Sequence, residues 1–172
     1  MPRTKKQGIV FGILMSLFMA YGMEVYNISI RMGYNLTEGL GFASMTYDVF
    51  LEAAKEAVFM GIIVFITSNL IGNKVGVMVM NKYCDVKNDN PYFCRLMRQA
   101  GTILAMCPLM SLIASVIFQI ILDNQPLDQL PTIWIGTVIK NFPMAFFWNM
   151  FAVAPFVNWI FEKWNKRFAE YG

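Results

Sequence analysis

The chain of 172 residues is 57% hydrophobic and only 15% charged. Soluble globular domains are about 45–50% apolar and about 25% charged, so this composition excludes an ordinary soluble domain and favours a membrane protein. The net charge of +3 gives no reason to expect a nucleic-acid partner, and we predict none. The absence of histidine excludes a His-based zinc site, a Ser-His-Asp triad and His-ligated haem. We therefore expect no metal and no cofactor. We also expect no enzymatic activity, because the candidate acids and bases lie where no assembled catalytic constellation can be argued.

The first predicted helix covers about 8–30 and is apolar apart from Glu24. Its apolar run is longer than the roughly 7–15 residues of a signal peptide, and no convincing cleavage site follows it. We interpret it as a retained membrane anchor. It also carries Asn27 and Met19, the latter within a run of methionines spaced four residues apart.

Three further helices are predicted along the chain. The second, about 49–72, has an acidic start that includes Glu56, and the third, about 99–122, carries Met110. Ala100 to Leu122 is free of charge over 23 residues, which is enough to cross about 30 Å of hydrocarbon at about 1.5 Å per residue. The fourth, about 132–161, carries Lys140 and Asn141.

These elements predict an all-α integral membrane fold. Only helices and closed barrels satisfy every backbone group in lipid, and the apolar runs are too long and too uniform for alternating barrel strands. We expect residues 1–172 to form a single membrane domain with four transmembrane helices. Membrane lipids are then its first partners.

The connecting segments predict the orientation in the membrane. The two segments before 8 and after 161, and the connection between the second and third helices, are rich in lysine and arginine. The other two connections together hold one basic residue and the acidic residues Glu38, Asp48, Asp123 and Asp128. Basic segments stay in the cytoplasm, so we expect both termini to be cytoplasmic.

The chain also shows signs of an internal repeat. Met15, Met19 and Val25 align with Met106, Met110 and Val116, and Glu56 and Met60 align with Lys140 and Met144. The halves, about 8–80 and 99–164, would each be one helical hairpin. Because each unit crosses twice, the copies would share one orientation, which makes a tandem, parallel repeat.

The charged residues inside the predicted helices allow two interpretations, one structural and one functional. An unpaired charge near the centre of a transmembrane helix costs about 2.5–3.5 kcal/mol, so Glu24, Glu56 and Lys140 should pair or reach water inside the protein. They could form a salt-bridge network that fixes helix register. They could equally form an ion or substrate site in the outer half of the bilayer.

Neutral residues could complete such a site. Asn27, Asn141 and Asn149 would add hydrogen-bonding groups, and Met19 and Met110 would add a flexible, polarisable lining. Core packing explains the methionines as well. Cys84 and Cys94 fall in the basic connection predicted to be cytoplasmic, so we expect reduced thiols there.

Several stretches resemble a known family. The segments "MPRTKKQGIVFGILMSLFMAYGMEVYN", "LAMCPLMSLIASVIFQ" and "NFPMAFFWNMFAVAPFVNWIF" are similar to an uncharacterised "domain of unknown function" family of small bacterial membrane proteins. The chain differs from that pattern in the acidic start of its second helix and in its polar "NKYCDVKNDNPYFC" connection. The resemblance implies four helices in two related hairpins and residence in the bacterial inner membrane, and it implies no activity.

Two functions follow from these expectations. One is a small transporter or exporter of cationic or amphipathic solutes, working as a homo-oligomer or alone. The alternative is a non-transporting accessory, immunity or stress-response module that acts through helix contacts with another membrane protein. Substrate identity, coupling ion and direction of transport do not follow from the residues.

Overall fold

The computed structural model describes residues 5–31, 46–85 and 88–169, with side chains described for 6–31, 46–85 and 88–164. This part of the chain is helical and contains no strand, which confirms the all-α class. The predicted connection that contains Glu38 lies almost entirely outside the described residues. The α-helices are α1 (Lys5–Arg31), α2 (Tyr47–Thr67), α3 (Asn73–Tyr83), α4 (Pro91–Ala114), α5 (Leu130–Phe147) and α6 (Ala154–Ala169).

Three π-helical segments follow α-helices directly. They are Ser68–Gly72 after α2, Ser115–Leu122 after α4 and Trp148–Val153 after α5. Pro108 lies inside α4 and Pro143 inside α5, each one to two turns before such a segment. A proline removes one backbone hydrogen bond, and local π adjustments are one way in which a membrane helix absorbs that loss without ending.

Three described helices are long and apolar enough to cross a membrane: Lys6–Arg31, Pro91–Leu122 and Leu127–Trp164. They coincide with the first, third and fourth predicted spans. The second predicted span, about 49–72, falls on α2 and the π segment Ser68–Gly72, and its crossing of a membrane stays a prediction.

The chain packs as two compact units. Unit one takes its described residues from Met1–Phe65 and Trp148–Gly172, and unit two comprises Ile66–Phe147. Unit one thus holds α1, most of α2, the π segment Trp148–Val153 and α6. Unit two holds the other two π segments with α3, α4 and α5.

The core of unit one forms along one ridge of α1. Ser16, Ala20, Glu24 and Ile28 recur every four residues and are all buried, which is the spacing of one helix face. Ile28 packs in a cluster with Val49 and Ala53 of α2, and Tyr21 and Val25 lie beside it. The small residues on this ridge allow neighbouring helices to approach closely.

A tryptophan fixes the π segment Trp148–Val153 against α1. The Trp148 Nε1–H donates to the carbonyl oxygen of Phe18 at 3.1 Å. The indole also lies against Gly22, where an added Cβ would overlap its ring atoms. Edge-to-face ring pairs, Phe18 with Phe156 and Phe11 with Phe161, continue this packing along α6.

Glycines set the packing of α3 on α4 in unit two. A Cβ added at Gly101 would lie 3.2 Å from the Cα of Gly76 and 2.6 Å from the Cβ of Val79. A Cβ added at Gly72 would lie 2.7 Å from the Cγ of Met106. The buried ridge of α4 runs through Ile103, Cys107 and Ser111 and reaches Ser115 at the start of the following π segment, one residue per turn.

The cysteines of the connection between α3 and α4 form a disulfide. Cys84 and Cys94 are bonded to each other, with their Cα atoms 5.5 Å apart, and Cys107 is a free, buried thiol. The expectation of reduced thiols at Cys84 and Cys94 is therefore wrong for this structure. The basic residues of the connection predicted its compartment, but they carry no information on the separation of the two helix ends. The 5.5 Å separation is within the range that a disulfide spans.

Candidate functional site

Glu24 is the buried carboxylate of unit one, with 6% of its surface exposed. It occupies the α1 ridge between Ala20 and Ile28, so the helix directs it into the protein core and away from the apolar exterior. Asn27 follows three residues later on an adjoining face of the same helix, where side chains at this spacing are neighbours. The Asn27 Oδ1 is buried and has no hydrogen-bond partner.

Asn149 brings a second amide to α1 from the π segment Trp148–Val153. Its Nδ2 donates to the thioether sulfur of Met19 at 3.9 Å, a weak bond because sulfur is a poor acceptor. Its Oδ1 is buried and has no hydrogen-bond partner. The position of Asn149 follows from its neighbour Trp148, which is anchored to the Phe18 carbonyl.

Glu56 forms an ion pair that the sequence did not predict. The Arg31 Nη2 lies 3.0 Å from the Glu56 Oε1, and the two side chains are 49% and 25% exposed. The sequence predicts a first helix that ends near residue 30, whereas α1 includes Arg31 in its last turn. The predicted pairing of Glu56 with Lys140 stays a prediction.

Asn141 is the most buried amide of unit two, with 6% of its surface exposed and an Oδ1 that has no hydrogen-bond partner. Thr137, one turn earlier on α5, donates to the Ile133 carbonyl at 2.7 Å and accepts from Ser115 at 3.4 Å. The polar face of α5 thus contacts Ser115 at the start of the π segment that follows α4. Lys140 precedes Asn141 and is half-buried.

Met110 has a contact in unit two that resembles the contact of Met19 in unit one. The Thr67 Oγ1 donates to the Met110 sulfur at 3.5 Å. Both predicted methionines therefore accept a hydrogen bond from a polar side chain inside the protein. No sequence pattern identifies Thr67, Thr137 and Ser115 as contact residues, because isolated hydroxyl residues in apolar runs form no recognisable motif.

The structure distributes the predicted site residues over the two units. Unit one contains Met19, Glu24, Asn27 and Glu56, and unit two contains Met110, Lys140 and Asn141. Among the described residues, no group of three or more His, Cys, Asp or Glu could hold a metal ion. Each unit presents buried amide oxygens, which are hydrogen-bond acceptors.

The described buried side-chain atoms that have no partner share one chemical type. All are amide oxygens: Asn27 Oδ1, Asn141 Oδ1 and Asn149 Oδ1. Leaving a buried acceptor unsatisfied costs about 1–3 kcal/mol, so such atoms in a folded protein call for an explanation.

A family model described as "Domain of unknown function (DUF2798)" matches residues 4–82 and 97–165. The resemblance drawn from the sequence is thereby confirmed at the level of a family of unknown function. No curated protein and no solved structure matches the chain.

Proposed function

The chain belongs to the DUF2798 family, and from that premise we propose that it is a small polytopic transporter or exporter of cationic or amphipathic solutes. The observation that carries the proposal is the burial of the Glu24 carboxylate on an apolar, membrane-length helix. A charge in such a helix is expensive, and ionisable residues kept there commonly mark transport pathways. Residence in the bacterial inner membrane is part of this proposal.

The proposed architecture is a tandem repeat of two hairpins with four crossings and both termini in the cytoplasm. The family model supports it by matching two separate segments, 4–82 and 97–165. Each segment contains one of the two halves drawn from the sequence, about 8–80 and 99–164. A duplicated pair of hairpins is the simplest source of two matches to one model.

The burial pattern of the first helix in each half also supports the duplication. Aligning Met15 with Met106 superimposes the buried ridge of α1 on that of α4. Ile28 aligns with half-buried Gln119 and Ile103 with half-buried Gly12, and the other three aligned pairs on this ridge are buried in both halves. The pairs are Ser16 with Cys107, Ala20 with Ser111, and Glu24 with Ser115.

The second helices agree in the same way. Aligning Glu56 with Lys140 superimposes three buried positions of α2 on three of α5. The pairs are Ala53 with Thr137, Ala57 with Asn141, and Gly61 with Ala145. Met19 and Met110, which are also aligned, both accept a hydrogen bond through sulfur.

The two halves differ in the chemistry of their aligned buried positions. Glu24 corresponds to Ser115, so the first half provides a carboxylate where the second provides a hydroxyl. Ala53 and Ala57 correspond to Thr137 and Asn141, which add polar groups to the second half alone. Under the proposal, Glu24 supplies the negative charge that attracts a cation.

The competing function is an accessory membrane module without transport activity. Exposed apolar side chains along α2, including Val58, Phe59 and Ile62, suit contact with lipid or with a helix of another membrane protein. Purification in mild detergent distinguishes an accessory module from a transporter that works without a protein partner. A stoichiometric protein partner would favour the module, whereas repeated isolation of the chain by itself would count against it.

Transport is tested by measuring probe uptake into proteoliposomes across which an ion gradient is imposed. The probes are methylammonium, tetramethylammonium and tetraphenylphosphonium. The wild type should move at least one of them, and Glu24→Gln should abolish that flux. Glu52→Gln is the matched control because Glu52 is an exposed carboxylate of α2, and it should transport normally. Lys140→Met should also abolish flux. Normal transport by both Glu24→Gln and Lys140→Met would show that the site is elsewhere.

A further inference from the structure

We propose that one end of the α3–α4 hairpin binds the headgroup of an anionic phospholipid from the bilayer that holds the protein. This basic hairpin end consists of Lys82, Tyr83, Tyr92, Arg95 and Arg98, all of which are exposed. Lipid binding at this surface does not depend on the proposed transport activity. The structure gathers these side chains where a membrane-length helix begins.

The disulfide joins the end of α3 to the first turn of α4. Cys84 is the C-cap residue of α3 and Cys94 lies in the first turn of α4, with their Cα atoms 5.5 Å apart. Lys82 comes two residues before this bridge and Arg95 one residue after it in the chain. Two cations that a connection separates in the sequence are therefore brought to the same end of the hairpin.

The cations of the basic hairpin end keep hydrogen-bond donors for an anion. Within the described part of the chain, none of Lys82, Arg95 and Arg98 forms an ion pair. The Lys82 Nζ lies 5.4 Å from the centroid of the Tyr83 ring. The Arg95 Nε–H donates to the Pro91 carbonyl at 3.3 Å, which leaves the terminal N–H groups of its guanidinium available to a phosphate.

The acidic residues of the connection are engaged within it. The Asp89 Oδ2 accepts from the Asp85 backbone N–H at 2.8 Å, and the Asp85 Oδ2 accepts from the Asn88 Nδ2 at 2.6 Å. Residues 74–98 contain five basic and two acidic residues, so this part of the chain keeps an excess of positive charge. Charge complementarity therefore favours an anionic partner.

The length of α4 and its π segment places the arginines at the level of lipid headgroups. The membrane-length helix covers Pro91–Leu122, and its uncharged part, 100–122, is long enough by itself to cross the hydrocarbon. Arg98 and Arg95 precede this part and lie about 3 Å and about 7.5 Å outside the hydrocarbon, at about 1.5 Å per residue. The headgroup layer is about 5–7.5 Å thick on each side, so a lipid phosphate is within reach of both guanidinium groups.

Aromatic and aliphatic groups favour a lipid over a soluble anion. Tyr83 and Tyr92 are 60% and 69% exposed, and tyrosine is enriched at membrane interfaces because its ring is apolar and its hydroxyl is polar. The Arg98 Cγ lies 3.4 Å from the position of a Cβ at Gly76, so its aliphatic part packs on α3. A phospholipid provides a phosphate for the cations and an apolar glycerol and acyl region for the rings, whereas free phosphate provides only the first.

Isothermal titration calorimetry of the full-length protein in a neutral detergent tests the proposal. The probes are dioctanoyl phosphatidylglycerol, which is anionic, and dioctanoyl phosphatidylcholine, which has no net charge. The wild type should bind phosphatidylglycerol at least about fivefold more tightly, since one basic residue near an anionic surface contributes about that factor. Lys82→Gln and Arg95→Gln should each weaken phosphatidylglycerol binding about fivefold. Neither should change the affinity for phosphatidylcholine.

Two further variants serve as controls, and each variant is first checked for monodispersity in detergent. Lys55→Gln removes an exposed lysine of α2 and should bind both lipids as the wild type does. Lys82→Arg keeps the positive charge, so it should retain phosphatidylglycerol binding when Lys82→Gln loses it.

Three results would overturn the proposal. The first is equal affinity of the wild type for the two lipids. The second is unchanged phosphatidylglycerol binding by both Lys82→Gln and Arg95→Gln. The third is displacement of phosphatidylglycerol by an equal concentration of inorganic phosphate, which would identify a soluble anion as the ligand of this surface.

Discussion

The Arg31 guanidinium and the Glu56 carboxylate form an ion pair, with 3.0 Å between Nη2 and Oε1. Arg31 lies in the last turn of α1, where a positive charge also interacts favourably with the helix C-terminus. The pair is partly exposed, since half of the Arg31 side chain is accessible. Exposed ion pairs contribute about 0–1 kcal/mol, so this contact orients the end of α1 more than it stabilises the fold.

We predict that the coupling energy between Arg31 and Glu56 is below about 1 kcal/mol. A double-mutant cycle of Arg31→Ala and Glu56→Gln, measured by unfolding in detergent, gives this value directly. Each single variant should lower the stability only slightly. A coupling of several kcal/mol would mean that the pair is buried in the membrane-embedded protein.

We predict that Gly22→Ala destabilises unit one by about 1–3 kcal/mol, the usual effect of overpacking. The added Cβ would overlap the indole of Trp148, which is held by its bond to the Phe18 carbonyl. Gly8→Ala on the same helix is the control because nothing lies within 4 Å of a Cβ there. It should be neutral or slightly stabilising, since alanine favours helix more than glycine does.

Thermal unfolding of the two variants, compared with the wild type, checks this prediction. Trp148→Phe combined with Gly22→Ala should recover part of the lost stability by making room for the methyl group. Equal stability of Gly22→Ala and Gly8→Ala would show that Trp148 does not pack on Gly22.

We predict that one thiol reacts with a maleimide reagent when the protein is denatured without reductant, and that three react after reduction. Cys84 and Cys94 are bonded to each other and only Cys107 is free. A gel-shift assay with a polymer-linked maleimide counts the thiols. The membranes are quenched with acid when they are collected, because cytosolic thiols are normally kept reduced and oxidise during preparation. Three reactive thiols in the unreduced sample would contradict the disulfide.

We predict that both chain termini lie on the same side of the membrane. Four crossings require this, whereas the three long apolar helices alone would place the termini on opposite sides. Reporter fusions at each end, one reporter active only in the cytoplasm and one only outside it, check the arrangement. Termini on opposite sides would show that α2 does not cross.

The helical class and the burial of Glu24 could both be predicted from the sequence. Long apolar runs leave no alternative to helices in lipid, and a carboxylate within such a run must face the protein interior. The same argument could not identify the contacts around it. The positions of Asn149 and Trp148 depend on packing against α1, which is a long-range contact without a local sequence signal.

The ion pair and the disulfide show two other limits. The predicted first helix ends before Arg31, so the sequence predicts neither its place in the last turn of α1 nor its pairing with Glu56. The expectation for Cys84 and Cys94 rests on compartment alone, because nothing in the sequence gives the separation of two helix ends. Both depend on the termination of helices, where sequence patterns are least informative.

The most direct test of the account is the equilibrium binding of methylammonium to wild type, Glu24→Gln and Glu52→Gln in parallel. The two carboxylates differ in burial, since Glu24 is buried in α1 and Glu52 is exposed on α2. If Glu24 provides the charge of the site, wild type and Glu52→Gln should bind equally well, and Glu24→Gln at least about tenfold more weakly. Equal binding by all three proteins, each folded and monodisperse, would contradict the central role of Glu24.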